Sequence, residues 1–117
     1  MAIEEILEIC QNWKGVTKDI KWDDHLCLSI GDKMFAVFSP DLYPPTASIK
    51  VTEEEFESLS QKDGIRPSPY LARYNWIYLD DISLFSKNDW THFLKQSYLL
   101  TYEKLPKNMK LEIQSAG

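Results

Sequence analysis

Two apolar runs flank a Gly-Asp pair in the first third of the chain. Residues 26–30 precede Gly31-Asp32, and residues 34–38 follow it after one lysine. A two-residue loop with glycine first is typical of a β-hairpin, because glycine accepts the positive φ that a type II′ turn needs there. If Ile30 faces Lys33, the same register places Leu28 opposite Phe35 and Leu26 opposite Val37. The hairpin therefore has one apolar face and a second, half-polar face, part of which we expect another segment to cover.

Apolar periodicity and capping signals predict the other elements. The predicted helices are residues 3–13, a short helix opening at the capping box Thr52–Glu55, and a long helix from Ser86 to about Leu105. The further predicted strands are 17–22, 46–51 and 75–79. Residues 65–74 are predicted to be irregular, because Pro67 and Pro69 cannot donate to a strand ladder.

The order α-β-β-β-β-α-β-α predicts an α+β fold. We expect a two-layer structure in which an antiparallel sheet of about five strands carries its helices on one face. The length of 117 residues fits one domain over residues 1–117. We expect this domain to be monomeric.

The termini and the cysteines predict a cytoplasmic protein. The first residues are acidic where a secretory signal would be basic, and no apolar stretch reaches the roughly 18 to 20 residues of a membrane span. Cys10 and Cys27 occupy apolar-patterned positions outside any metal-binding motif, which favours two buried free thiols in a reducing compartment.

Several polar groups resemble parts of a catalytic or metal site, but each has a simpler interpretation. Asp23-Asp24-His25 contains metal-ligand types, yet adjacent residues point in alternate directions and rarely converge on one ion. Asp80-Asp81 lies where aspartate commonly forms a turn, and His92 has no partner in motif spacing. We therefore expect no enzyme activity, no metal site and no cofactor.

Both arginines of the chain lie in one aromatic, proline-punctuated segment, residues 63–79. The segment contains Arg66, Arg73, Tyr70, Tyr74, Trp76 and Tyr78. Arginine has a planar fork that suits phosphate, and exposed aromatic rings offer stacking faces for bases. The alternative is structural: the arginines pair with local acids such as Asp63 or Asp80, and the rings belong to the core.

The motifs of this segment and of its neighbours resemble the MmcQ/YjbR family of small bacterial proteins. The resemblance covers nearly the whole chain and rests on residues 31–36, 52–59, 64–73, Trp76, 79–81, 96–98 and 104–107. It implies a compact α+β domain of the secretion-chaperone-like type. It also implies DNA binding, with no enzymatic activity attached.

The resemblance and the residues together lead to one main hypothesis, a DNA-binding module. The residues predicted to bind DNA are Arg66, Arg73, Lys33 and Lys50 at phosphates, with Tyr70, Tyr74 and Trp76 as stacking rings. The net charge of −5 counts against strong non-specific binding, since that affinity comes largely from cations at phosphates.

Two alternatives to DNA binding remain open. The first is a protein-interaction or regulatory adaptor, in which the Trp76/Tyr78 face or the half-apolar sheet face docks a partner peptide or a second copy. The second is a small-anion site in the 64–73 loop.

Overall fold

The computed structural model describes residues 2–22, 24–69 and 71–115. The strands are β1 (Val16–Lys21), β2 (His25–Ile30), β3 (Lys33–Ser39), β4 (Thr46–Lys50), β5 (Ile65–Pro67) and β6 (Trp76–Leu79). The helices are α1 (Ile3–Cys10), α2 (Glu53–Leu59), α3 (Lys87–Glu103) and α4 (Lys107–Ser115). Short 3-10 turns cover Ala72–Tyr74 and Ile82–Leu84.

All six strands form one antiparallel sheet in the order β1-β2-β3-β4-β6-β5. The predicted α+β class with an antiparallel sheet is therefore confirmed, with six strands rather than about five. The additional strand is β5, which lies in the segment predicted to be irregular. Pro67 is compatible with it because β5 is an edge strand, where a missing N–H on the outer side leaves no ladder bond unmade.

The hairpin between β2 and β3 forms at the predicted turn but not in the predicted register. Gly31 has a φ of 62°, and Ile30 pairs with Lys33. The register then shifts, because Leu28 pairs with Ala36 whereas Ser29 pairs with Met34, so Phe35 has no partner in β2. This β-bulge adds one residue to β3. The predicted pairs Leu28–Phe35 and Leu26–Val37 are therefore wrong by one position.

The bulge and the helices give the sheet two unlike faces. On the closed face, which α1 and α3 cover, the inward side chains of the central strands are buried in one core with those of the helices; they include Ile30, Phe38, Ile49, Ile77 and Leu79. The open face is the opposite side, and the segment after β5 covers part of it. The aligned residues Val37, Ser48 and Tyr78 cross it on β3, β4 and β6.

The helix boundaries are set by caps, by a glycine and by a proline. The predicted capping box is confirmed: Thr52 Oγ1 accepts from the Glu55 N–H at 3.2 Å, and Glu55 Oε1 accepts from the Thr52 N–H at 3.0 Å. The first helix ends at Cys10 rather than at residue 13, before Gly15, which has a φ of 77°. Pro106 follows the end of α3, and its carbonyl accepts the first hydrogen bonds of α4, a helix the sequence did not predict.

Within the described ranges, the helices are all too short or too polar to cross a membrane.

Candidate functional site

The first arginine of the candidate segment stacks on a tyrosine on the open face. Arg66 on β5 pairs with Tyr78 on β6, and its Cζ lies 4.8 Å from the centre of the Tyr78 ring. Its Nη2 is also 3.3 Å from Asp80 Oδ1, with 61% of the arginine side chain and 50% of the aspartate side chain exposed. The guanidinium is thus accessible to a ligand, but a carboxylate already offsets part of its charge.

The second arginine makes a similar stack at one end of the sheet. Arg73 lies in the 3-10 turn, with its Cζ 4.8 Å from the Tyr74 ring centre, and its Nη2 donates to the Tyr74 hydroxyl at 2.5 Å. Lys50, the last residue of β4, joins this group because its Nζ donates to the Tyr74 carbonyl oxygen at 3.0 Å. Burial, followed by the charge of Lys104, lowers the pKa of Lys50. The three side chains form a cationic and aromatic group that is largely open to solvent.

Two other predicted site residues do not join these groups. Trp76 is only 5% exposed, so its ring offers no stacking face to a base. Lys33 is exposed at the start of β3, beside the hairpin turn, and forms no ion pair within the described part of the chain. Tyr70 lies outside the described residues. The structural alternative therefore holds for the Arg66–Asp80 pair and for Trp76, but not for Arg73 or Tyr74.

The open face contains a cavity of about 570 Å³, which we call the open-face groove. Apolar residues make most of its walls: Trp22, Met34, Val37, Ala47, Pro69, Leu71 and Tyr78. Polar side chains line the rest: His25, Ser39, Thr46, Ser48 and Ser68. The sequence contained one signal of it, the half-polar second face of the hairpin, but nothing that placed Ser68, Pro69 and Leu71 over that face.

The polar floor of the groove is built from hydroxyl groups of different strands. Ser48 on β4 and Ser68 after β5 are 8% and 3% exposed, and their Oγ atoms form one hydrogen bond of 3.0 Å. His25 lies at the end nearest Trp22, with the two rings edge to face at 5.7 Å between centres. The His25 Nδ1 is 2.7 Å from Asp24 Oδ1, but the geometry does not complete a hydrogen bond.

The paired acids that resembled a catalytic site have separate structural roles. Asp80 pairs with Arg66, whereas Asp81 caps the second 3-10 turn, its Oδ1 accepting from the Ser83 N–H at 2.9 Å and from the Ser83 hydroxyl at 2.7 Å. These two hydrogen bonds lower the pKa of Asp81. Over the described ranges, no three side chains of metal-ligand type come together.

Comparisons with known proteins agree with this architecture. A model of the YjbR family matches residues 11–100. A Deinococcus radiodurans protein with a DUF419 domain superposes with a TM-score of 0.85 at 22% identity, over 97% of this chain and 88% of that protein. A Pseudomonas syringae protein superposes with a TM-score of 0.69 at 19% identity, over 86% of this chain and 99% of that protein. At these identities the likeness concerns the fold. A comparison with curated proteins found no match.

Proposed function

This chain belongs to the YjbR family, and from that premise we propose that it is a non-enzymatic, cytoplasmic binding module that contacts DNA weakly. The proposed contact surface consists of the two arginine–tyrosine stacks together with Lys50. Within the described part of the chain, Lys33 makes no hydrogen bond or cation–π contact with either stack, and Trp76 is buried, so neither belongs to this reduced surface.

One observation supports the proposal most directly: both arginines are exposed and place their guanidinium groups on tyrosine rings, and the Tyr74 ring is exposed as well. Arg66 and Arg73 each lie 4.8 Å from a ring centre, and the Tyr74 residue is 47% exposed. A stacked guanidinium keeps its N–H groups in the plane of the fork, so it can still donate to phosphate oxygens. The outer face of an exposed ring remains available for stacking with a base.

The charge distribution predicts that this affinity is low and depends on salt. The net charge is −5, and Asp80 already interacts with Arg66. With three cations at phosphates, the logarithm of the binding constant should fall against the logarithm of salt concentration with a slope of about −3 on duplex DNA. A surface of this kind serves transient contact rather than stable sequence-specific binding.

Fluorescence anisotropy on a labelled generic duplex at low salt tests the proposal. The double variant Arg66→Ala with Arg73→Ala should lose most of the binding and reduce the salt slope by about two. A matched control is Lys18→Ala with Lys87→Ala, which removes the same charge from exposed positions outside both stacks. Equal binding by the two double variants, or a flat salt response in the wild type, would contradict DNA contact through this surface.

A second candidate function, a protein-interaction adaptor, is supported by the loop between β3 and β4. Leu42 is 51% exposed in this loop, and Tyr43 is completely exposed. Exposed large apolar side chains of this kind often mark contact with another protein. If this function holds, capture of a partner from nuclease-treated lysate should persist with the wild type and disappear with Leu42→Ser plus Tyr43→Ser. Loss of every partner on nuclease treatment alone would favour DNA instead.

A further inference from the structure

We propose that the open-face groove binds a small molecule with a flat apolar body and a carboxylate group. This site shares only the Arg66–Tyr78 stack with the DNA contact proposed above: it depends mainly on the hydroxyl floor of the groove and on Trp22, not on the Arg73–Tyr74 stack or on Lys50.

The position of the groove in the sheet favours a small molecule over a peptide. Its floor is formed by β3, β4 and β6, each of which pairs with a neighbouring strand on both sides. Their backbone N–H and C=O groups are used in the sheet, so a peptide cannot add to the floor as a further strand. Recognition must come from side chains. The volume of about 570 Å³ lies within the range of roughly 300 to 1,000 Å³ that is usual for small-ligand sites.

The hydroxyl floor favours a ligand that accepts hydrogen bonds. The bond between Ser48 and Ser68 uses one hydroxyl hydrogen, and the second hydroxyl hydrogen of the pair has no acceptor within the described part of the chain. Both side chains are more than nine-tenths buried, and an unmet donor in such a place is unfavourable unless water or a ligand supplies an acceptor. A ligand oxygen above Ser48 would meet this requirement.

The donors around the groove favour an acceptor that is anionic. Among the described lining residues none is a carboxylate, although Asp24 lies beside His25 at one end. Tyr78, which forms one wall, carries the Arg66 guanidinium on its ring, and Asp80 contacts only one nitrogen of that guanidinium. A carboxylate in the groove would accept from the hydroxyl groups and from the remaining Arg66 N–H groups, whereas an ammonium group cannot accept a hydrogen bond.

Trp22 provides an independent sign that the rim of the groove is functional. Its φ is 52°, a left-handed conformation that bulky side chains rarely adopt, and the residue is 64% exposed. The turn between β1 and β2 explains the positive φ, since Lys21 pairs with His25, but neither the turn nor burial explains a tryptophan here, because glycine or asparagine would adopt this conformation with less strain. The indole lines the groove beside His25, where it would cover one side of a flat ring.

Calorimetric titration with 2-naphthoate and with 2-naphthylmethylamine tests the inference. These probes share one aromatic body and carry opposite charges. We expect 2-naphthoate to bind with one-to-one stoichiometry and the amine to bind at least about tenfold more weakly, the usual size of a charge-assisted hydrogen bond. The double variant Ser48→Ala with Ser68→Ala should weaken naphthoate by about tenfold and leave the amine nearly unchanged.

A bulky substitution inside the groove tests whether naphthoate binds there rather than on another surface. Val37→Phe should fill the groove and abolish naphthoate binding, whereas Leu99→Phe, at a residue that is 47% exposed on α3, should bind as the wild type does. Equal affinity for the two probes, or unchanged naphthoate binding in the serine double variant, would overturn the inference. If circular dichroism shows that Val37→Phe does not fold, naphthoate binding by the serine double variant decides the test. These variants leave Arg66 and Arg73 in place, so the result is independent of DNA binding.

Discussion

The two faces of the sheet are built from the same strands but differ in what their side chains do. On the closed face the central side chains, such as Phe38 and Ile49, are completely buried against helices. On the open face, neighbouring positions of those strands hold Val37 and Ser48, which line a cavity. Alternation along a strand thus separates a packed core from a half-apolar surface that has a ligand-sized opening.

This difference indicates that stability depends mainly on the closed face and binding on the open face. Apolar burial is the dominant favourable contribution to folding, and it is concentrated under α1 and α3. The open face contains what a packed core avoids: hydroxyl groups with spare hydrogens, a strained tryptophan, and a guanidinium on a tyrosine ring. The four predictions below test that division, beginning with the largest expected effect.

Trp90 should be among the most sensitive positions of the closed face. It is completely buried on α3, its Nε1–H donates to the Ile82 carbonyl oxygen at 2.9 Å, and it packs edge to face with Phe85. Trp90→Ala should lower the free energy of unfolding by about 3–5 kcal/mol, enough to unfold a marginal domain. Urea denaturation followed by circular dichroism measures this, with Leu99→Ala as the exposed control on the same helix. A loss below about 1 kcal/mol would mean that the core lies elsewhere.

Ser97 should show the next largest effect, because it compensates for the bulge in β3. Its hydroxyl donates to the Phe35 carbonyl oxygen at 2.6 Å and accepts from the Lys50 N–H at 3.2 Å, and the residue is completely buried. Ser97→Ala removes this partner from the buried Phe35 carbonyl oxygen and from the part-buried Lys50 N–H, which should cost about 1–3 kcal/mol. The matched open-face variant Ser48→Ala should cost less than about 1 kcal/mol, since the groove can admit water. Equal losses would remove the distinction between the faces.

The sequence predicted the parts of the fold that depend on local patterns. Strand alternation placed Ala47, Ile49 and Val51 on the inward face, and all three are at most 1% exposed. The hairpin turn was predicted from Gly31-Asp32, since the positive φ is a property of that one residue. The register beyond the turn was not predictable in this way, because the carbonyl of the bulged Phe35 is bonded by Ser97, 62 residues further along the chain.

The candidate site could be predicted only in part, for a related reason. The arginines and their tyrosines were identified from composition, and the stacking of Arg73 on Tyr74 joins neighbours in the chain. The stacking of Arg66 on Tyr78 depends on the pairing of β5 with β6. This pairing was not predicted, because Pro67 and Pro69 indicated an irregular segment. The groove requires several strands to come together with Ser68, Pro69 and Leu71, and no local sequence pattern indicates such a long-range arrangement.

The two cysteines allow a smaller test of burial, through the pH dependence of stability. Burial raises the pKa of the Cys10 thiol from 9.0 to about 11. Below pH 9 the thiol is protonated in both folded and unfolded chains, so it adds no pH dependence. Above pH 9 the unfolded chain loses the proton first, so the free energy of unfolding should fall until about pH 11.

Stability curves for the wild type and for Cys10→Ala, measured from pH 8 to pH 11, isolate the Cys10 contribution. The wild type should lose more stability across this range, because the variant lacks the titrating thiol. Burial also raises the pKa of Cys27 on the open face, so Cys27→Ala is the natural companion variant. Parallel curves for the wild type and Cys10→Ala would show that the Cys10 thiol ionises as freely as an exposed one.

The smallest predicted change in stability is for Trp22→Gly. Loss of a tryptophan from the closed face, as in Trp90→Ala, should destabilise the fold, whereas loss of Trp22 from the open face should not. Its φ of 52° disfavours a bulky side chain, and the residue is 64% exposed, so Trp22→Gly removes strain and little burial. We expect the free energy of unfolding to stay the same or rise by up to about 1 kcal/mol, while naphthoate binding weakens. Asn75→Gly, at a φ of 66°, is the matched control for the backbone effect without loss of a ring. A loss of stability comparable to that of Trp90→Ala would place Trp22 in the core, and the strained conformation would then have a structural cause.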